Sequence, residues 1–423
     1  MNLKSPTTKK LLSNFLSLSS LQLFSYILPL LTIPYLVRIL GVEYFGLISF
    51  AGAIVGYFVI ITQYGFELTA VKEVSVNKDD KTKLTEIFSS VMTIKFLLLV
   101  ITFVILVLIT MFFEKFEFER IVYFLTFGMV IGDVLFPRWF FQGMEQMKYI
   151  TYINVISRIV FTSLIFVFVT TKEDFYIIPI LNSLGVIVGG IYSIYFIYKK
   201  FDIKFEVQPL EKIKFYLKES WHIFISHIGI NLYTNALTII LGFFAPLSVV
   251  GYYSAAEKLI RAVISLSRPI YQTVYPHIMS LMKESEVKAL VFIRTVIIYS
   301  FIFSIIVSGL IFVLSDFIVS LLYGENFELT ILLLKLLSIL PIIVGLNNII
   351  GVQVMMAYDF KKEFSKIIVL VGFFSLLISL PLAYFYHSIG IAISSILIEL
   401  IILIVINIFL YRKKIFFLKA NNE

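Results

Sequence analysis

The sequence predicts an all-α integral membrane protein of about 12 transmembrane helices in two six-helix lobes, with both termini in the cytoplasm. Three observations carry this. Of 423 residues, 60% are hydrophobic and only 15% are charged, where a soluble domain carries about 25% charged residues. Apolar runs such as "LLLVITFVILVLITMFF" (97–113) and "IGIAISSILIELIILIVINIFLY" (389–411) recur along the chain. Each is near the roughly 20 residues that cross about 30 Å of hydrocarbon, and their continuity fits helices rather than barrel strands. Lysine and arginine, finally, gather on alternate loops.

Taken in order, the basic tail "MNLKSPTTKK" passes into an apolar stretch that reaches Arg38 without a small-residue cleavage site. It therefore reads as span one, near 14–38, and not as a signal peptide. Further spans fall near 45–66, 86–113, 121–142, 149–170, 176–198, 221–245, 251–276, 291–314, 329–357, 364–386 and 388–411. With the N-terminus inside, the cytoplasmic segments hold 23 Lys and Arg against three (Lys115, Arg120 and Lys172) outside. That asymmetry sets the predicted orientation.

The longest loop, "KKFDIKFEVQPLEKIKFYLKES", is basic and amphipathic, and its stretch 201–220 reads as an interfacial helix on the inner leaflet. It divides the chain into an N-terminal lobe, 1–200, and a C-terminal lobe, 221–423. The halves echo each other: "GLISFAGAIVGY" from Gly46 aligns with "GYYSAAEKLIRA" from Gly251, pairing Ser49 with Ser254 and Ala51 with Ala256. Six crossings return the chain to its starting side, so the repeats share one orientation about an axis along the membrane normal.

Chemistry-bearing motifs are few. Cysteine is absent, the four histidines lack ligand spacing, and no "GxxxxGK[ST]" loop or nucleophile motif occurs. No catalytic residue, metal or cofactor is expected, and ATP is not the direct energy source. The net charge of +8 belongs to the cytoplasmic loops and implies no nucleic acid.

Polar groups inside the spans are the informative ones. In span eight, Ser254, Glu257, Lys258, Arg261, Ser265, Arg268, Gln272 and Tyr275 fall within an arc of about 100°. Arg261 lies about 15 Å along the helix from Gly251. A charge at that depth costs about 2.5–3.5 kcal/mol, so such groups face the bundle interior or water. Glu257 and Arg261 stand at i, i+4 and are placed to pair. Three cations against one carboxylate predict a lumen that faces an anion. Arg38 is placed either to snorkel to headgroups or to supply the positive charge of the first lobe. Asp133 is expected to pair with a basic residue, and Lys95, Arg158, Arg294 and Lys335 to snorkel or pair. Glu67, Asp133 and Glu257 are the acids that could pair in a cavity or couple an ion. Glu399 reads as an isolated, hydrogen-bonded acid. Gly52 and Gly56 read as close-packing surfaces. Nine of the eleven prolines lie in or beside spans, as kinks or hinges.

"LLTIPYLVRILGVEYFGLISFAGAIVGYFVIITQYGFELTAVKEVS" resembles the opening of the O-antigen and polysaccharide flippases of the multidrug/oligosaccharidyl-lipid/polysaccharide exporter superfamily. "FFQGMEQMKYIT", "GYYSAAEKLIRA" and "LLYGENFELTILLLKLLSILP" are similar to that family's later landmarks, in order along the chain. The resemblance implies a two-lobed, MATE-like fold in the bacterial cytoplasmic membrane. It implies alternating-access transport of undecaprenyl-diphosphate-linked oligosaccharide repeat units from the inner to the outer leaflet. Partners implied with it are the bilayer, a polysaccharide polymerase and a chain-length regulator. Arg38 matches a basic position near the end of span one in related flippases, and Lys258 one that follows an acid. Arg261 and Arg268 rest on the helical face alone. The four would form the diphosphate site. Two rivals predict other features: a drug/cation antiporter wants an acidic cavity, and a membrane glycosyltransferase or polymerase wants a large loop or an acid-rich catalytic site. A non-transporting scaffold would want no particular charge pattern.

Overall fold

The computed structural model describes residues 6–415, with side chains from 31 onward except at 230, 233, 234, 268, 269, 272 and 273. Among the described residues the chain is helix and turn, with no strand. It divides into two compact units, Met1–Ile228 and Gly229–Glu423.

The first unit holds α1 (Pro6–Gln63), α2 (Phe66–Val76), α3 (Lys81–Phe112), α4 (Ile121–Leu135), α5 (Arg138–Gly143), α6 (Met147–Phe168), α7 (Ile177–Phe201) and most of α8 (Leu210–Thr234). The second holds α9 (Ala236–Phe244), α10 (Leu247–Leu266), α11 (Arg268–Glu284), α12 (Glu286–Tyr323), α13 (Glu328–Leu337) and α14 (Leu340–Leu346). A π-helical turn (Asn347–Val354), α15 (Met355–Ala357) and α16 (Lys361–Arg412) complete it.

Eight helical rods are long and apolar enough to cross a membrane. The 52-residue rod is broken at His387 into two crossings. The 46-residue rod, Leu31–Val76, is interrupted at Gly41 and again at Tyr64–Gly65, and because α1 reaches back to Pro6 the break at Gly41 also separates two crossings. Gly41 has φ 72° and ψ 173°, a conformation that only glycine adopts without strain. At His387 the chain turns back on itself: a Cβ on Gly390 would stand 1.9 Å from the carbonyl of Leu382. The two remaining predicted crossings fall on α8–α9 and α10–α11. Helix α10, at 20 residues, is about 30 Å long and spans by length. Its three charges, Glu257, Lys258 and Arg261, are what keep it out of the apolar class.

Helices α4 and α7 pack backbone to backbone. Cβ atoms at Gly128, Gly132 and Gly190 would stand 2.6–2.7 Å from Ser183, Ile187 and Leu135, and the Ser183 hydroxyl donates to the Leu125 carbonyl at 2.6 Å. This is small-residue packing of the membrane type. Gly52 and Gly56, expected to do this job, meet no described atom within 4 Å of a built Cβ. A small residue permits close approach, but only the partner helix decides where it happens. Gly132→Val is expected to force α4 and α7 apart and lower the detergent-solubilised melting temperature, by an overpacking cost of about 1–3 kcal/mol. Gly52→Val is expected to leave it unchanged.

The repeat seen in sequence holds in burial: Ser49 and Ala51 in the first unit and Ser254 and Ala256 in the second are all buried. The basic stretch 201–220 is not a free-standing helix. Residues 202–209 are non-helical, and the rest is the start of α8, which runs on to Thr234. Lys212 (3.1 Å) and the Tyr216 hydroxyl (3.2 Å) dock on Glu86 of α3. Lys81 pairs with Asp202 and holds its carboxyl below the usual carboxylate range.

Candidate functional site

Each unit buries a charged cluster within its own helices. In the first, sequence sets up the geometry around Pro137. Proline has no N–H to offer the carbonyl four residues back, which is that of Asp133. Helix α4 ends at Leu135, and the freed Asp133 carbonyl accepts from the Phe136 amide (3.3 Å) and from Lys95 Nζ (3.1 Å). The Asp133 carboxylate receives Arg138 Nη2 at 3.1 Å and Gln63 Nε2 at 3.3 Å on Oδ1, with Lys95 Nζ 3.6 Å from Oδ2. Lys95 and Asp133 are only 3% and 5% exposed. Glu67 lines the same small cavity, positioned by the break at Tyr64–Gly65, where Gly65 has φ 80° and Ile223 would lie 2.9 Å from an added Cβ. Asp133 Oδ2, Arg138 Nε and Trp139 Nε1 are buried without a hydrogen-bond partner. Asp133 thus pairs with basic residues as expected. That Lys95, from a distant helix, is one of them was not readable from sequence.

The second cluster lies on α10. Arg261 Nε donates to Glu257 Oε1 at 2.7 Å, the i, i+4 pair the spacing predicts. The Thr238 hydroxyl lies 3.5 Å from Glu257 Oε2. Both ends of the pair line a cavity of about 40 Å³ that also takes in Ser395 and Glu399 of α16. Glu399 is not isolated: Asn347 Nδ2 donates to its carboxylate at 2.7 Å and to its carbonyl at 3.0 Å. Asn347 opens the π-helical turn, a rare distortion that is frequent at functional sites. The one prior signal for this was the polar pair Asn347–Asn348 inside an apolar run.

The remaining predicted site residues are placed separately. Lys258, on the other edge of the stripe, is half-buried and is not among the described lining of that cavity. The stripe does not run straight on, because α10 ends at Leu266 and α11 starts at Arg268, whose side chain lies outside the described residues. Arg38 is exposed on α1, three residues before the break at Gly41. The net positive lumen inferred from the stripe is therefore not gathered in the Arg261 cavity, where two carboxylates face one guanidinium. Tertiary packing brought Glu399 in from another helix, and no reading of α10 alone contains it. Among the described residues no group of His, Asp and Glu could hold a metal ion.

The fold matches two solved transporter structures. Over 94% of this chain and 87% of the other, it superposes on "Lipid II flippase MurJ, inward closed conformation" with a TM-score of 0.73 at 16% identity. Over 92% and 95% it superposes on an inward-facing multidrug resistance MATE family transporter of the MOP superfamily, with a TM-score of 0.68 at 12% identity. At these identities the likeness is one of fold. In sequence the chain is 32% identical to the "Putative O-antigen transporter" of Escherichia coli (strain K12), over 95% of this chain and 97% of that one. Family models, each described as polysaccharide biosynthesis protein, match residues 11–282 and 281–420. With its multi-pass helical architecture, this chain therefore belongs to the polysaccharide biosynthesis protein family of membrane proteins.

Proposed function

We propose that this protein is a flippase. It moves undecaprenyl-diphosphate-linked oligosaccharide repeat units of O-antigen or a related surface polysaccharide from the inner to the outer leaflet of the bacterial cytoplasmic membrane. The orientation in this reading is that of the charge asymmetry, with both termini in the cytoplasm, and a polysaccharide polymerase and chain-length regulator act on the delivered units. The carrying observation is Arg261: a guanidinium at span depth, its side chain 48% exposed, beside a cavity. A charge kept at that depth marks a substrate or ion path, and a planar guanidinium is suited to bidentate binding of a diphosphate. Family membership and relatedness to a named O-antigen transporter support the substrate class.

In this mechanism the diphosphate displaces Glu257 from Arg261, because both compete for the same guanidinium. The released carboxylate then shares its cavity with Glu399. Lys258 and Arg38 extend the anion path, and Arg268 is assigned to it from its place on the helical stripe.

The two carboxylates also favour a second reading, a drug/cation antiporter, in which Glu257 and Glu399 hold the cation. Complementation separates the two. The wild-type chain should restore surface polysaccharide to a flippase-null strain. Lys258→Ala should lower that polymer at least tenfold with unchanged membrane levels of the protein. If the wild-type chain restores no polymer but confers resistance to cationic drugs, the antiporter reading holds instead.

A further inference from the structure

We infer that the groove between α6 and α7 is a binding site for an anionic phospholipid, the acyl chain lying in the groove and the phosphate on a cluster of three lysines. This inference does not depend on what the chain transports.

The groove encloses about 420 Å³, the largest of the cavities described above, and its walls are apolar and aromatic. Tyr149, Tyr152, Tyr192 and Phe196 form the sides, and Gly189 and Ser157 lie at the floor. Gly189 keeps the floor low: an added Cβ would stand 3.3 Å from both Ile153 and Ser157. The groove follows α6 from Tyr149 to Ser157 and α7 from Phe196 back to Val188. Eight residues of helix make it about 12 Å long. At about 420 Å³ the trough has room for one hydrocarbon chain.

Charge decides the occupant. Lys148 precedes α6's first lining residue, and Lys199 and Lys200 close α7 at the same end of the trough. Lys200 Nζ lies 4.1 Å from the Tyr149 ring centre and 5.4 Å from that of Phe196. Lys148 Nζ lies 5.1 Å from the Tyr149 ring, and Lys199 Nζ 5.8 Å from the Tyr195 ring. Lys200 Nζ also donates to the Tyr149 hydroxyl, and these aromatic contacts bring no counter-charge to the lysines. Among the described residues none of the three lysines has a carboxylate partner, and the two acids nearest in sequence are engaged elsewhere. Glu145 pairs with Lys78, and Asp202 with Lys81. Three cations above an apolar trough, framed by tyrosines that favour the headgroup level, match a lipid with a phosphate and no compensating cation of its own.

The test is native mass spectrometry on the full-length, detergent-purified chain titrated with phosphatidylglycerol or with phosphatidylcholine of identical acyl chains. Wild type should retain phosphatidylglycerol preferentially. Each lysine near an anionic lipid is worth about fivefold in affinity. Lys148→Gln/Lys199→Gln/Lys200→Gln should therefore reduce phosphatidylglycerol binding tenfold or more and remove the preference. Val188→Trp, which fills the far end of the trough and leaves the lysines untouched, should also weaken binding. Wild-type retention in both variants would overturn the inference. So would loss in the lysine variant alone, which would indicate a bare phosphate site. Displacement of phosphatidylglycerol by an equimolar amount of undecaprenyl phosphate would assign the trough to a prenyl chain and overturn it as well.

Discussion

Arg261→Ala is expected to abolish surface polysaccharide in the complemented flippase-null strain while the protein still reaches the membrane. The guanidinium neutralises Glu257 at 2.7 Å and shares a cavity of about 40 Å³ with Glu399. Removing it leaves two carboxylates facing each other at membrane depth. Breaking a buried ion pair by deleting one partner costs about 3–5 kcal/mol. Arg261 is half-exposed, however, so solvent screens the pair and the folding penalty should fall below that range. Transport should suffer far more, because in the proposed mechanism no other group on α10 offers a planar fork to the diphosphate. Arg261→Lys keeps the charge and loses the fork, so partial polymer, reduced at least severalfold, is expected. The double variant Glu257→Gln/Arg261→Ala separates the two roles. Removing the stranded carboxylate should restore membrane levels, and polymer should still be absent. Normal polymer in either Arg261→Ala background would show that the guanidinium serves packing alone.

Asp133→Ala should give the largest loss of stability. One carboxylate serves Arg138 (3.1 Å), Gln63 (3.3 Å) and the Lys95 ammonium (3.6 Å), and Lys95 is 3% exposed. Without Asp133 the buried ammonium keeps only a carbonyl and the more distant charge of Glu67, with Arg138 close by. The expected cost is about 3–5 kcal/mol, seen as a lowered melting temperature in detergent and poor membrane yield. Replacing both charges, as Asp133→Leu/Lys95→Met, removes the stranded ion together with its desolvation penalty, and stability should largely return. If Asp133→Ala melts with wild type, the cluster is not the hub of this unit. If the charge-free pair is stable yet supports no polymer, the cluster acts in transport as well.

Much of the architecture was legible in the chain. The apolar runs located the crossings, since hydrocarbon length and backbone hydrogen bonding leave helices of about 20 residues as the solution. The turns between paired crossings were legible too, at Gly41 and beside His387, because each apolar run is bounded there. The Glu257–Arg261 pair followed from helical spacing, and the charge hidden in the span at Asp133 announced a partner. Which faces meet was less legible. Gly52 and Gly56 look like contact surfaces but meet no described atom, whereas Gly128, Gly132 and Gly190 pack closely on a neighbouring helix. The basic stretch before span seven is tied through Lys212 and Tyr216 to Glu86 of α3, a contact its own pattern does not record.

What the sequence alone determined is therefore one-dimensional: where the chain crosses, which residues share a helical face, and which side groups are too polar for lipid. These are set by periodicity and by transfer free energy, which each segment carries within itself. What only the tertiary structure decided is which helices bring their polar groups together. Lys95 reaches Asp133 from 38 residues away, and Asn347 holds Glu399 across 52. Glu399 thereby turns a stripe that reads as cationic into a cavity with two carboxylates and one guanidinium. Charge pairing between helices depends on distance in space, and a helical face records only half of each pair.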